Sequence, residues 1–467
     1  MITGRNVLAE MKESKAGSVF RDERLDQRGV KLLAAMHREE SLVIGQLGAT
    51  KAERSGYYRF MENPKVKETI LAEGLQAACK RHIKEGHVLA ISDTTEVNLA
   101  KQAGRIKGSL GTISDNKSLG FHLHPSLLLD AEDGEALGIS SVQSWVRPLA
   151  EAKKEGQKKQ QRPIEEKESY KWIKSIKETQ GCLADAVKVT YIADREADIY
   201  EEFITVKEAK ADLLIRSRAN RCLYDQEEKL FEHLASQAVL GRYRLQLEAD
   251  GRKEREAREA QLEVRIAKVK LKRPAHVAKD LAAYVELYAL EVREVEFDGK
   301  NPILWRLLTT HEASTISQAQ HIIQWYAWRW HIEQLFRTLK KQGLDIEAVE
   351  LGDMDAIRKL AVLALDLALK VMQLARARDG SKLRVQRLFS IPEQACLQML
   401  LTRFEGKTKK QRNPHPADSL AWASWIIARL GGWNGYLSQR PPAVITFYRG
   451  LAKFDSIFLG WSLALDA

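Results

Sequence analysis

Tyr326-Ala-Trp-Arg329-Trp-His-Ile-Glu333-Gln-Leu-Phe-Arg-Thr-Leu-Lys340 is the stretch whose reading decides the fold. At about 100° per residue, Tyr326, Arg329, Glu333 and Lys340 fall within an arc of about 60° on one helix face. Trp330 and Arg337 extend that face. Trp328, Ile332, Leu335, Phe336 and Leu339 cluster on another side, between about 180° and 280°. The spacing predicts one long helix over Ser314–Gln342, with an apolar face for the core. Its other face carries Tyr, Arg, Trp, Glu and Lys. An ion-paired, solvated surface is the plain alternative. Such a surface rarely holds both a Tyr and a Trp. Cations flanking a carboxylate suit a metal site that also grips phosphate oxygens.

Outward from this helix, two more carboxylates stand directly after apolar runs. Asp93 ends Val88-Leu-Ala-Ile-Ser and precedes Thr94-Thr95. Asp194 ends Val189-Thr-Tyr-Ile-Ala and opens Asp194-Arg-Glu-Ala-Asp198-Ile. Reactive groups gather at the carboxyl ends of strands in open α/β sheets. Taken singly, each Asp is equally a helix N-cap or a turn former. Taken with Glu333, they make a set of hard oxygen donors suited to Mg²⁺. Two such ions, about 3.5–4 Å apart, would serve phosphoryl transfer. No Gly-x-x-x-x-Gly-Lys-Ser/Thr loop is present, so a nucleic-acid phosphodiester is the better substrate than a nucleotide.

The rest of the chain frames these residues. Arg28–His37, Lys51–Arg59 and Lys65–Lys84 read as helices, punctuated by Gly48 and Asn63-Pro64. From residue 86 the pattern becomes short apolar strands. Gly120–Leu129 and Leu137–Val146 form a hairpin about Asp130–Gly134. Residues 150–168 read as a solvated linker. A helix (Ser169–Thr179), a strand (Val187–Ala193), a helix (Ala197–Ala209) and a strand (Asp212–Ser217) follow. Residues 219–300 read as an antiparallel β insertion. There Leu262, Val264 and Ile266 alternate, the phase slips at Ala267, and Val269 and Leu271 continue, as at a bulge. The expected domains are 1–70, 71–375 and 376–467.

Composition narrows the class. The chain has 467 residues, 74 Lys+Arg against 63 Asp+Glu, and a net charge of +11. Residues 1–70 carry +3, residues 376–467 carry +8, and the middle is neutral. The excess points to a polyanionic partner met at the two ends. Hydrophobic residues at 44% exclude a disordered chain. The four cysteines are scattered, which argues against a disulfide framework or a thiolate zinc site. No secretory signal is visible, and Leu360–Leu374, broken by Asp366 and Lys370, reads as a buried helix rather than a membrane span.

Tyr326-x2-Arg329-x3-Glu333-x6-Lys340 resembles the Tyr-Arg-Glu-Lys signature of bacterial DDE transposases of the insertion-sequence-four family, nearest to its transposon-five branch. Ile91-Ser-Asp93-Thr-Thr and Asp194-Arg-Glu-Ala-Asp-Ile resemble the family's two Asp motifs, and Arg216-Ser217 lies on the following strand. Asp22-x-Arg24-Leu25 and Tyr58-Arg59-Phe60-Met-Glu-Asn63-Pro64 are similar to its N-terminal domain, and Ile427-Ala-Arg-Leu-Gly-Gly432 to its C-terminal one. The resemblance implies a multidomain α/β chain. Its RNase H-like core, a mixed β-sheet flanked by helices, would carry the antiparallel insertion between a helical DNA-binding domain and a helical C-terminal domain. It implies Asp93, Asp194 and Glu333 as catalytic metal ligands for two Mg²⁺ ions, with Mn²⁺ able to substitute. Tyr326, Arg329, Lys340, Arg216 and Arg59 would contact DNA, and Trp305 would stack on a flipped base. It further implies cut-and-paste transposition through a hairpin intermediate and a homodimer holding double-stranded DNA ends and target DNA. The location would be the bacterial cytoplasm, at the nucleoid. An RNase H-like nuclease without strand transfer and a non-catalytic DNA-binding inhibitor are the alternatives.

Three further features stand outside the resemblance. Lys153, Lys154, Lys158, Lys159 and Arg162 make residues 150–163 a basic loop, read as solvated. His122-Leu-His124 places two imidazoles on one strand face, a zinc pair lacking a third ligand. Lys407–Arg412 is a basic cluster, and Trp422–Leu430 an apolar helix suited either to core or to a subunit contact.

Overall fold

The computed structural model describes residues 7–14, 18–107, 111–113, 118–147, 162–185, 187–247, 257–299, 301–340, 343–436 and 440–465. The basic run Lys153–Lys159 lies outside them. The strands are β1 (Gly86–Ser92), β2 (Thr95–Asn98), β3 (Gly111–Thr112), β4 (Leu119–Asp130), β5 (Ala136–Trp145), β6 (Val187–Ala193), β7 (Asp212–Arg216), β8 (Gly241–Leu247), β9 (Arg258–Lys272), β10 (Tyr284–Val295) and β11 (Leu304–Thr309). The helices are α1 (Val7–Ser14), α2 (Glu23–Arg38), α3 (Lys51–Glu62), α4 (Glu68–His82), α5 (Tyr170–Cys182), α6 (Tyr200–Glu208), α7 (Leu230–Ser236), α8 (Ile316–Trp328), α9 (Trp330–Leu339), α10 (Met354–Ala377), α11 (Ile391–Phe404), α12 (Leu420–Leu430) and α13 (Val444–Leu465).

One mixed sheet, ordered β2-β4-β1-β6-β7-β11-β10-β9-β8, organises the described residues, with β5 and β3 also paired to β4. β1, β6 and β7 run parallel. Their apolar runs are buried on both faces, as a helix-covered parallel sheet requires. One face packs against α8, α9 and α10, the other against α5, α6 and α7. This mixed sheet between helices is consistent with an RNase H-like core.

Local chemistry accounts for the helix ends. Thr50 and Glu53 form a capping box at α3, and Thr315 and Gln318 form another at α8. The Asp22 side chain accepts from the Arg24 N–H and caps α2. The apolar run from Leu360 lies buried in α10, against which the N-terminal helices pack. Lys359 of α10, itself buried, donates to the carbonyls of Met61 (2.9 Å) and Asn63 (3.3 Å) at the end of α3. The Tyr58–Asn63 motif is thus tied to the central helix through its last carbonyls. Trp422, Trp425, Ile426 and Ile427 are buried inside the chain, so the described packing makes α12 core rather than a subunit surface.

Two expectations are corrected. The helix expected over Ser314–Gln342 is two helices, α8 and α9, divided at Arg329. There the Arg329 N–H bonds Tyr326 O and the Ile332 N–H bonds Arg329 O, a tightened turn. The phase slip in β9 is real, but it is not a bulge. Pairing with β10 runs unbroken from Lys272 to Gln261. The slip arises because Ala260, Leu262 and Val264 enter one core layer, whereas Ala267, Val269 and Leu271 enter the other. The strand keeps its register and changes the face that is covered.

Close backbone approach defines the C-terminal end. A methyl group at Gly450 of α13 would run into the Ile427 carbonyl of α12, and one at Gly431 into the Thr446 carbonyl. Gly450→Ala is expected to cost on the order of 1–3 kcal/mol through overpacking, read by denaturant unfolding; an unchanged midpoint contradicts the crossing. Lys359→Met leaves two carbonyls without their donor and is expected to cost about 1–3 kcal/mol in the same measurement.

Candidate active site

The parallel pairing sets the first two carboxylates side by side. Ile91 of β1 pairs with Ile192 of β6, so Asp93 and Asp194 leave the carboxyl ends of adjacent strands, two residues further on. Ala193 pairs with Ile215 of β7, which brings Arg216 beside Asp194. Each Asp side chain also holds a nearby backbone N–H. Asp93 Oδ1 accepts from the Thr94 N–H (2.8 Å), and Asp194 Oδ1 from the Glu196 N–H (2.8 Å). Asp194 caps the short 3₁₀ turn Arg195–Ala197, as the N-cap reading expects, whereas Asp93 caps no helix.

Glu333 arrives from α9, and Arg329 joins it to the sheet. Arg329 Nη1 lies 2.9 Å from Asp93 Oδ2, and Nη2 lies 3.3 Å from Glu333 Oε1. Arg329 is mostly buried, and its neighbouring charges include Asp194. Tyr326 is buried, and the Arg329 charge acts on its hydroxyl. Trp305 packs edge-on against Tyr326, with ring centroids 5.6 Å apart. The expected Tyr-Arg-Glu face is therefore enclosed rather than solvated at Tyr326. Lys340, just beyond α9, pairs instead with Glu347 at 3.6 Å. Arg216 donates to Leu304 O (2.9 Å), and Arg59 is exposed on α3.

Burial and crowding act on Asp93. Burial pushes the Asp93 carboxyl up to about 6; Arg329 pulls it back, and Asp194 and Glu333 push it up again. The side chain keeps 22% exposure, yet the protein atoms around it outweigh the ion pair. Burial raises the Tyr326 hydroxyl as well. Three carboxylates under one guanidinium remain short of positive charge, and their hard oxygens suit a divalent cation. The donor chemistry therefore fits Mg²⁺. The spacing is not closed, since no three His, Cys, Asp or Glu among the described residues stand close enough to hold an ion. Arg329 engages two of the three carboxylates.

Asp198, the second Asp of the Asp194 motif, has a structural role that its spacing alone does not reveal. It is buried and accepts from the Arg218 N–H (2.7 Å) and Arg221 Nε (2.7 Å). It holds the segment after β7 rather than facing Asp93. Its spacing of four from Asp194 was visible; its partner Arg221 was not. His122 and His124 sit on one strand face, as expected, but as aromatic neighbours. His122 stacks on Trp145 at 5.2 Å and His124 meets Trp172 edge-on at 4.7 Å.

The pH behaviour of the metal-free protein follows from Asp93. Its folded value, about 6, lies above the ordinary Asp value of about 4, so ionisation costs the fold stability. That cost is absent below about pH 4, grows to about pH 6 and is constant above. Asp93→Asn cannot ionise. In chelator it is expected to gain on the wild type across that interval, by roughly 3 kcal/mol, in urea melts at stepped pH. Parallel curves contradict the assignment.

Residues 170–366 match the family model described as the transposase DDE domain. The matched span holds Asp194, Arg216, Trp305, Tyr326, Arg329, Glu333 and Lys340; Asp93 precedes it.

Proposed function

With a DDE-type transposase domain over its centre, we propose that this chain is a cut-and-paste DNA transposase, of the insertion-sequence-four type, acting as a homodimer on transposon ends. The observation that supports the reading is the pairing of Arg329 with both Asp93 and Glu333, with Asp194 leaving the adjacent parallel strand beside Asp93.

Asp93, Asp194 and Glu333 would hold the divalent ions. Bound Mg²⁺ supplies an acidified water and neutralises charge developing on phosphate oxygens. Arg329, released from its carboxylates, then grips a backbone phosphate together with Tyr326, Lys340 and Arg216. Trp305 stacks on a base displaced near the cut, offsetting the few kcal/mol that flipping costs. Arg59 meets the end from the N-terminal helices. Hydrolysis at the end frees a 3′-OH, which attacks the opposite strand to give a hairpin. The reopened end attacks target DNA. Each step is an in-line displacement at phosphorus, so one carboxylate set serves all.

Gel analysis with DNA carrying the inverted repeats that flank the coding region, plus Mg²⁺, tests this. Nicked, hairpin and joined products are expected. Nicks alone support a nuclease; binding without cleavage supports a DNA-binding inhibitor. Glu333→Ala is expected to abolish cleavage while retaining end binding, and retained cleavage removes the triad assignment. Trp305→Ala is expected to lower hairpin yield roughly 10–100-fold with nicking less affected, measured as time courses of both products.

A further inference from the structure

Asp93 lies at a break in a β ladder. β1 and β2 run along the same edge of β4, because β5 occupies the other edge throughout. Ser92 pairs with Ser126, and Thr95 with Leu123. Asp93 and Thr94 fall between the two strands, opposite His124 and Pro125. Pro125 has no N–H to give the ladder. Regular pairing therefore does not fix the residue whose carboxylate the site needs.

Side chains close the gap. Thr94 Oγ1 lies 2.9 Å from His124 Nδ1. The Thr94 hydroxyl both donates and accepts, so either imidazole tautomer makes this bond. The Thr94 N–H holds Asp93 Oδ1 at 2.8 Å. One residue earlier, the Ser92 and Ser126 hydroxyls meet at 2.6 Å. His124 is wholly buried, with Nε2 unpartnered, and meets the Trp172 ring at 88°. The ring has little freedom to turn. Lys171 lies over both Trp145 (5.4 Å) and Trp172 (5.3 Å), and its ammonium is 3.2 Å from Glu196. Glu196 in turn belongs to the Asp194 turn. A buried aromatic block therefore braces the backbone of both Asp motifs.

We propose that His124 is a positioning residue, holding Asp93 through Thr94 in the orientation that binds a divalent ion. This rests on the reading of Asp93 as a ligand. It gives buried His124 a role other than zinc binding, for which His122 and His124 lack a third ligand among the described residues. Residues that orient metal ligands typically contribute roughly 10–100-fold in affinity.

Mn²⁺ binding to the full chain, measured calorimetrically, tests the proposal. His124→Leu and Thr94→Val are each expected to weaken binding roughly 10–100-fold, and the double variant no more than the weaker single one. His124→Asn and Thr94→Ser, which keep a polar atom near each position, are expected to recover most of the loss. Metal-free DNA binding and thermal unfolding are expected to stay near wild type. Thr94→Val, at a partly exposed position, decides the matter if His124→Leu does not fold. Wild-type affinity in the folded His124 and Thr94 variants, with affinity lost in Asp93→Asn, overturns the positioning role and leaves the ligand reading standing. Wild-type affinity in Asp93→Asn overturns both.

Discussion

The Arg329 guanidinium between Asp93 and Glu333 is the contact on which the site depends. Carboxylates gathered at the end of a parallel sheet repel one another, and burial penalises their charge. Arg329 offsets part of that penalty and joins α9 to β1. It does not offset all of it, because the Asp93 carboxyl still titrates near 6. The remaining shortage of positive charge is what a divalent cation would relieve. The helix break at Arg329 coincides with this demand, and both helices keep their apolar faces in the core.

Support for the site reaches well beyond its charged groups. The parallel strands set the spacing of Asp93 and Asp194. Between β1 and β2 the ladder lapses, and Thr94, His124 and the paired serines take over its role. Asp198 pins the segment after β7 in the same manner. Such buried bonds are worth more in a low-dielectric interior than at the surface. Asp93 and Asp194 each spend one oxygen on a nearby backbone N–H and stay partly exposed.

Much of this was legible along the chain. Apolar runs located β1, β6 and β7, and the residues that follow them were Asp93, Asp194 and Arg216. Helical spacing put Tyr326, Arg329 and Glu333 on one face. Gly450, Asp198 and His124 were illegible, because each acts through a partner distant in sequence. In β9, periodicity registered a real change of phase and suggested the wrong cause. Burial alternation reports which face is covered, and cover comes from helices elsewhere.

The sequence by itself determined the order of strands and helices, the chemistry of the three carboxylates and the stations of the flanking cations. These depend on local periodicity and side-chain type. Only the tertiary structure decided that Arg329 breaks its helix to bridge two carboxylates, that Lys340 faces Glu347, that α12 is core and that His124 stands behind Asp93. Those outcomes are pairings across long separations. They follow from desolvation and close packing, which act on neighbours in space that periodicity along one element does not encode.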